Sequence, residues 1–247
     1  MHVSKHDLSP GSLTAGCEAG RLDEMSSSNR SRRCTGVIVD LDGTLADTLR
    51  DISNAVNVGL AELGLPPQPM EAVREYVGDG VAMLCRRAMN SQRLEQLDRM
   101  VAIVLEQYRL HDLDHTRLYE GVPDMLDGLA ELGVPVAVLS NKPQEATERL
   151  VRALCGRWRF AAVEGYRTDE RKKPDPRTAI EIAVRMGAEP REVWMVGDSQ
   201  GDIATARAAG MVSVGATWGF RSRAELESLG PDYLIDKPTD LLSLIRV

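Results

Sequence analysis

The sequence of 247 residues has no apolar run approaching the ~20 residues that a membrane-spanning helix needs. It has no C-x-x-C pair, which disfavours a zinc site or a disulfide framework. It has no excess of basic residues either: the formal net charge is −7, which argues against nucleic acid as a partner. The four scattered cysteines fit a reducing compartment. We therefore expect a cytoplasmic protein without nucleic-acid or membrane partners. These cysteines are Cys17, Cys34, Cys85 and Cys155.

What the chain does have is enough apolar material for a packed core. Hydrophobic residues make up 43% and charged residues 27% of it, as in ordinary globular proteins. The length suits one large domain or a core with a smaller insertion. The first 34 residues differ, because they are rich in Ser, Gly, Arg and Lys and lack the apolar centre of a secretory signal. We predict that residues 1–34 form a disordered tail.

Beyond the tail, short apolar segments alternate with segments whose apolar residues recur at helical spacing. The alternation predicts an α/β fold: a Rossmann-like, mostly parallel sheet with helices on both faces. The predicted strands are 37–41, 134–140, 160–163, 193–196 and 212–216. The predicted helices between them are 124–133, 177–187 and 202–210.

Residues 49–119 break this alternation, because their pattern is helical and includes no convincing strand. Three helices are predicted there, over 51–64, 81–90 and 96–110. Since the region falls between the first two strands of the sheet, it reads as an inserted helical subdomain. We predict an α/β core formed by residues 35–49 and 117–247, with an inserted helical cap over residues 50–116.

Polar residues stand at the carboxyl ends of the predicted strands, where open α/β sheets bind ligands. Acids, small hydrogen-bonding groups and lysines are therefore expected to converge at one edge of the sheet. These residues are Asp40, Asp42 and Thr44; Ser140, Asn141 and Lys142; Lys172 and Lys173; and Asp198 and Asp202.

This set suits phosphoryl transfer. The carboxylates of Asp40, Asp42 and Asp198 would offer oxygen ligands to Mg²⁺. Ser140, Asn141 and a lysine could hold the oxygens of a transferring phosphoryl group. One aspartate could attack phosphorus and form a covalent intermediate. A second carboxyl two residues away could protonate the leaving oxygen and then activate water.

Four segments resemble, in the same order, the four motifs of the haloacid dehalogenase superfamily. They read DLDGTLADT, VLSNKP, KKPDP and MVGDSQGDIATARAAG. The resemblance spans about residues 36–247. Within the superfamily, the phosphoglycolate phosphatases look most similar: EYVGDGVAMLCRRAM resembles their cap segment, and VGATWGFRS resembles their last strand and its loop.

The resemblance implies roles for the acids. Asp40 would be the nucleophile and a Mg²⁺ ligand. Asp42 would be the general acid/base and would give its backbone carbonyl to the metal. Asp198 would be a Mg²⁺ ligand through its side chain, and Asp202 would support the site. The implied cofactor is Mg²⁺.

The resemblance also implies a phosphate-binding set and a mobile cap. Ser140 and Lys173 would bind the phosphoryl group, with Asn141 beside them, and Thr44 would help to hold the loop. The cap would close over the site, exclude water and read the leaving group. Residues 78–80 lie where its substrate-facing loop is expected.

The expected function is a Mg²⁺-dependent phosphatase that hydrolyses a small phosphorylated metabolite through an aspartyl phosphate, with phosphoglycolate as the first candidate. A sugar phosphomutase of the β-phosphoglucomutase type stays open, although such mutases commonly have Val or Ile at the position of Thr44. A pyrophosphatase or nucleotide phosphatase also stays open. A dehalogenase would leave Asp42 unexplained, and a receiver-like phospho-acceptor module would not need the cap. A homodimer is left open.

Overall fold

The computed structural model describes residues 33–245, and the centre of this part is a six-stranded sheet. The strands in chain order are β1 (Gly36–Val39), β2 (Ala46–Asp47), β3 (Arg117–Leu118), β4 (Val136–Pro143), β5 (Ala162–Tyr166), β6 (Val193–Gly197), β7 (Val212–Ala216) and β8 (Tyr233–Ile235). The sheet has the order β5-β4-β1-β6-β7-β8, and each neighbouring pair is parallel. The predicted parallel α/β fold is confirmed.

Helices follow most of the strands, because parallel neighbouring strands need a crossover connection, which is usually a helix. They are α1 (Leu49–Glu62), α2 (Met70–Tyr76), α3 (Val81–Ala88), α4 (Leu97–His111), α5 (Val122–Glu131), α6 (Gln144–Cys155), α7 (Arg177–Met186), α8 (Gln200–Ala209), α9 (Arg223–Leu229) and α10 (Asp240–Leu244).

Two hydrophobic clusters lie on opposite faces of the sheet, because successive residues of a strand point to opposite sides. Val37 and Val39 of β1 belong to a cluster that includes Leu126 of α5. Ile38, between them, belongs to a second cluster that includes Ile182 of α7. β1 is buried on both faces, which explains its unbroken β-branched sequence.

Helices α1–α4 lie between β2 and β3 and pack around a third hydrophobic cluster. In α1 the buried residues Ile52, Val56 and Leu60 recur every four positions, so they form one stripe along the helix. Phe220, from the segment after β7, joins the same cluster. The helices predicted over 51–64, 81–90 and 96–110 correspond to α1, α3 and α4.

The prediction of no strand within 49–119 is wrong at one place. β3 pairs antiparallel with β2 in a separate two-stranded ribbon, with Ala46 opposite Leu118. Two-residue strands carry too few positions to show a period in the sequence, and only the approach of the partner strand creates them. The ribbon lies where the chain leaves the sheet toward α1 and returns from α4.

Other predicted bounds also shift. The second strand extends to Pro143, so Ser140, Asn141 and Lys142 lie in the end of β4 and not after it. β8 and helices α2, α6, α9 and α10 lie outside the predicted set. Most of these are short segments whose apolar residues find partners only in the assembled core.

Of the predicted tail, residues 1–32 lie outside the described residues. The last two residues of that prediction are described: Cys34 is buried in the core, and the carbonyl of Arg33 accepts a hydrogen bond from Trp194 Nε1 at 3.4 Å. Within residues 33–245, no helix has both the length and the apolar character needed to cross a bilayer.

Candidate active site

The site lies at the carboxyl end of β1, the point where the direction of the sheet reverses. From β1 the chain passes to β4 and β5 on one side, then crosses to β6, β7 and β8 on the other. Ligand-binding crevices of open α/β sheets form at such switch points. Asp40 is the first residue after β1, and its backbone N–H still donates to the carbonyl of Val196 in β6 at 2.9 Å.

Three buried carboxylates gather there. Oxygen atoms of Asp40, Asp198 and Asp202 all lie within 4.8 Å of one another. The ammonium of Lys173 lies among them, 2.8 Å from Asp40 Oδ1 and 2.6 Å from Asp202 Oδ1. Residues about 160 positions apart in sequence are thus brought together by the ends of β1 and β6 and by the segment before α7.

The burial of these charges shows in their pKa values. Burial raises the pKa of Asp40 well above its usual range; Lys173 opposes this rise, and the carboxylates of Asp202 and Asp198 add to it. Burial and the charge of Asp202 raise the pKa of Asp198 to about 7. Burial lowers the pKa of Lys173, but the carboxylates of Asp202 and Asp40 outweigh it and raise that pKa above its ordinary value.

The donor set fits a hard divalent cation such as Mg²⁺. Three carboxylates and one ammonium leave an excess of negative charge, which a cation with oxygen ligands relieves. The Asp198 carboxylate lies directly against the backbone at Gly43. Gly43 has φ +83°, and a Cβ there would lie 2.2 Å from Asp198 Oδ2. A side chain at this position would both strain the backbone and displace the carboxylate.

Thr44 lies beside this cluster and holds Asp198. Its hydroxyl donates to Asp198 Oδ1 at 3.2 Å, and the backbone N–H of Phe220 donates to Asp198 Oδ2 at 2.6 Å. The carbonyl of Thr44 accepts a hydrogen bond from Trp218 Nε1 at 3.0 Å. Thr44 thus positions a carboxylate, a role that the sequence pattern alone does not reveal.

Asp202 makes hydrogen bonds both within the site and at the start of its own helix, α8. Its Oδ2 accepts hydrogen bonds from the backbone N–H and the hydroxyl of Ser199 at 3.1 and 2.6 Å, at the start of α8. Its Oδ1 accepts from Lys173. Its side chain is therefore both a helix cap and the partner that anchors the lysine beside Asp40.

Asp42 lies outside the carboxylate cluster in this conformation. Both of its oxygens accept hydrogen bonds from Lys142 Nζ at 2.9 Å, and the hydroxyl of Thr48 donates to Oδ1 at 2.7 Å. The sequence pattern places Lys142 at this edge of the sheet but predicts no specific role for it. Its position beside Asn141 at the end of the second strand was the available signal, but its pairing with Asp42 depends on the fold.

The remaining predicted residues are also buried at this edge. Ser140 is buried, and its hydroxyl accepts from the backbone N–H of Lys142 at 3.3 Å. The side-chain amide of Asn141 donates to the carbonyls of Gly78 and Lys173 at 2.8 and 2.9 Å. Asn141 therefore ties the loop after α2 to the segment that carries Lys173.

A cavity of about 610 Å³ opens in front of these groups. Its floor includes Asp40, Ser140 and Lys173, and its other side is formed by residues of the helical segment between β2 and β3, including Val81 and Tyr108. The volume lies within the usual range of small-molecule sites, and the lining as a whole is more apolar than polar.

The chain is similar to known proteins over most of its length. A family model described as haloacid dehalogenase-like hydrolase matches residues 37–216. A phosphoglycolate phosphatase of Chromobacterium violaceum is 35% identical over 215 residues, covering 85% of this chain and 96% of the relative. A phosphoglycolate phosphatase of Pseudomonas putida is 36% identical over 221 residues, covering 85% of this chain and 78% of the relative.

Solved structures share the fold. The crystal structure of a protein described as a predicted phosphoglycolate phosphatase from Haemophilus somnus 129PT superposes with a TM-score of 0.80. It is 26% identical in sequence, and the match covers 85% of this chain and 97% of that one.

Proposed function

This chain belongs to the haloacid dehalogenase-like hydrolase family, and we propose that it is a Mg²⁺-dependent phosphatase that hydrolyses 2-phosphoglycolate through an aspartyl phosphate. The observation that carries the proposal is the position of Asp40. Its carboxylate lies at the switch point of the sheet, bonded to Lys173 and beside Asp198, at the floor of the cavity. Three groups needed for phosphoryl transfer thus lie close together: Asp40 as the nucleophile, Lys173 as a cation for the phosphoryl oxygens, and Asp198 as a metal-binding carboxylate.

In the first step, a carboxylate oxygen of Asp40 attacks phosphorus. The new O–P bond forms as the bond to the ester oxygen breaks, and Asp42 gives a proton to that leaving oxygen. Lys173 and Ser140 hold the phosphoryl oxygens, whose negative charge must be stabilised throughout.

In the second step, water attacks the phosphorus of the aspartyl phosphate. Asp42, now ionised, takes the proton from this water, and the bond between phosphorus and Asp40 breaks to release inorganic phosphate. One carboxyl therefore serves as the acid and then as the base, and the enzyme returns to its starting state.

Mg²⁺ would be held by Asp40, Asp198 and the backbone carbonyl of Asp42, and when bound it neutralises negative charge at the phosphoryl group. The raised pKa values of Asp40 and Asp198 support this assignment, because both carboxyls gain from a nearby cation. Asp202 already has Lys173 as a cationic partner, which favours a supporting role.

The substrate assignment draws on the relatives that carry the name phosphoglycolate phosphatase. Thr44 favours hydrolysis over phosphoryl transfer to a second hydroxyl, because the mutases commonly have Val or Ile at this position; here its hydroxyl donates to Asp198. A valine at this position, as is common in the mutases, would lack that bond.

The test is phosphate release with Mg²⁺ from 2-phosphoglycolate, pyrophosphate, sugar phosphates and nucleotides, each with and without a chelator. We expect chelator-sensitive release that is fastest with 2-phosphoglycolate. Faster release from another ester would keep the chemistry and overturn the substrate. Transfer between hydroxyls of a sugar phosphate without phosphate release would instead identify a mutase.

A further inference from the structure

The mechanism above leaves one buried cation of the cavity without a role in binding substrate. Lys142 lines the cavity, and its side chain is only 6% exposed. Its ammonium has three N–H donors, yet within residues 33–245 the one acceptor group that it bonds with good geometry is the carboxylate of Asp42. A buried ammonium with one carboxylate partner has donor capacity left for a second anion.

A second polar group beside it is incompletely bonded. Tyr108 of α4 is buried and lines the same cavity, and within the described residues its hydroxyl is the one buried side-chain polar atom without a well-aligned hydrogen bond, although it interacts with the nearby ammonium of Lys142. Lys142 Nζ lies 4.4 Å from the centre of the Tyr108 ring. Because an unsatisfied buried hydroxyl costs stability, such a group is retained most readily where a ligand completes its bonding.

The other cations that line the cavity already have partners or are more exposed to solvent than Lys142. Lys173 is bonded to Asp40 and Asp202 at the phosphoryl end. Four arginines also line the cavity, and each is bound to a group other than the proposed catalytic carboxylates. Arg109 pairs with Glu106, Arg149 with Asp112 and Arg167 with Glu164, while Arg221 binds the backbone carbonyls of Arg74, Glu75 and Val77.

In the proposed substrate, few atoms separate the phosphoryl group from the carboxylate. In a phosphate ester of a 2-hydroxycarboxylate, only an oxygen and one carbon separate phosphorus from the carboxyl carbon. A group that recognises this carboxylate must therefore lie next to Asp40 and Asp42. Lys142 meets this requirement because it is in direct contact with Asp42.

We propose that Lys142 and Tyr108 bind the carboxylate of the leaving group, and that this carboxylate replaces Asp42 as the partner of Lys142. The inference rests on the proposed phosphatase function and assigns its specificity to two named side chains. Asp42, released from the ion pair, takes a proton from solvent and is then free to turn toward the ester oxygen, to which it gives that proton. An ester without the carboxylate leaves Asp42 bound to Lys142, so it lacks both the binding contact and the released acid.

The experiment compares 2-phosphoglycolate with 2-hydroxyethyl phosphate, which has CH₂OH in place of the carboxylate. The readout is the ratio of kcat/KM for the two esters with saturating Mg²⁺. We expect a ratio of at least about 100 in the unaltered protein, because a site built for a charged group rejects its neutral analogue strongly. In Lys142→Met the ratio should approach 1.

Tyr108→Phe is the second variant and separates recognition from folding. Its hydroxyl makes no well-aligned hydrogen bond in the free protein, so its removal should change the melting temperature little. The ratio should nevertheless fall at least about 10-fold, the effect of one lost hydrogen bond to a charged carboxylate. A purely structural role for Tyr108 would leave the ratio unchanged.

Lys172→Met is the matched control, because Lys172 also lies over a tyrosine ring, at 4.2 Å from Tyr166, and pairs with Asp169. Its ratio should equal that of the unaltered protein. Equal rates for both esters in the unaltered protein, or an unchanged ratio in Lys142→Met and Tyr108→Phe, would overturn the carboxylate subsite alone. No phosphate release from either ester would overturn the proposed function and the subsite together.

Discussion

Asn141 and Lys173 hold each other through a reciprocal pair of hydrogen bonds. The backbone N–H of Lys173 donates to Asn141 Oδ1 at 2.7 Å, and Asn141 Nδ2 donates to the carbonyl of Lys173 at 2.9 Å. The second N–H of this amide binds Gly78, in the loop that faces the cavity. Since both amide N–H groups are used, the side chain positions Lys173 and the loop in this conformation.

Asn141→Ala should therefore weaken phosphate binding. With the pair removed, the backbone that aims Lys173 is free to shift, and we expect the inhibition constant of inorganic phosphate to rise about 10-fold. Asn57→Ala is the control, because Asn57 makes the same reciprocal pair with the backbone of Gln68 inside the helical segment. It should lower the melting temperature and leave phosphate inhibition unchanged; equal inhibition constants in the two variants would contradict the positioning role.

Asp40→Asn should abolish turnover while the fold is kept. The amide is nearly isosteric and retains an oxygen to accept the bond from the backbone N–H of Leu41, 2.7 Å from Asp40 Oδ1. Because an amide does not form the aspartyl phosphate, we expect phosphate release to fall at least about 10⁴-fold. Phosphate release and far-UV circular dichroism check both points. A folded variant with more than a few per cent of normal activity would rule out the covalent mechanism.

Asp42→Asn should slow hydrolysis about 10²–10⁴-fold, the usual contribution of general acid/base catalysis. With p-nitrophenyl phosphate, whose leaving group needs no proton, we expect a burst of nitrophenolate equal to the enzyme concentration, followed by slow turnover.

Asp51→Asn is the matched control for Asp42→Asn. Asp51 is a buried carboxylate bonded to the backbone N–H groups of His115 and Thr116, away from the cavity lining. It should lower stability without a burst. The absence of a burst in Asp42→Asn would argue that Asp42 acts before, and not during, breakdown of the intermediate.

The metal-free protein should lose stability as the pH rises from about 4 to about 7. Burial raises the pKa of Asp198 to about 7 in the folded state, against about 3.9 in an unfolded chain. Between these values the folded state binds more protons, so the free energy of unfolding falls with increasing pH. Asp40, whose pKa burial also raises, acts in the same direction.

Melting temperatures in a chelator between pH 5 and 8 test this dependence. Asp198→Asn should flatten the fall, because the amide does not titrate. Addition of Mg²⁺ at pH 8 should raise the melting temperature of the unaltered protein more than that of Asp198→Asn. An equal pH dependence in both proteins would contradict the raised pKa.

Much of the fold and of the site was predictable from local signals. The β-branched run of β1 predicts a strand buried on both faces, and that strand is central. The acids and small polar residues at strand ends predict a shared site, because carboxyl ends of parallel strands meet at one edge. Asp40, Asp198 and Lys173 do meet there.

The contacts that distinguish the roles of these residues were not predictable. Asp42 and Lys142 are 100 positions apart, and Asn141 and Gly78 are 63 apart. Each contact depends on side-chain direction after packing, which no period or motif encodes. The ribbon of β2 and β3 shows the same limit, because each strand has only two residues.

The sequence by itself determined the alternation of strands and helices, the inserted helical segment and the kinds of groups available for catalysis. Hydrophobic period and residue type are local properties, so the sequence alone reveals them. Only the tertiary structure decided that Asp42 is held by Lys142, that Thr44 orients Asp198 and that Tyr108 lies in the cavity wall beside Lys142. These relationships arise when distant segments are packed at fixed distances, and hydrogen bonds and ion pairs depend on those distances.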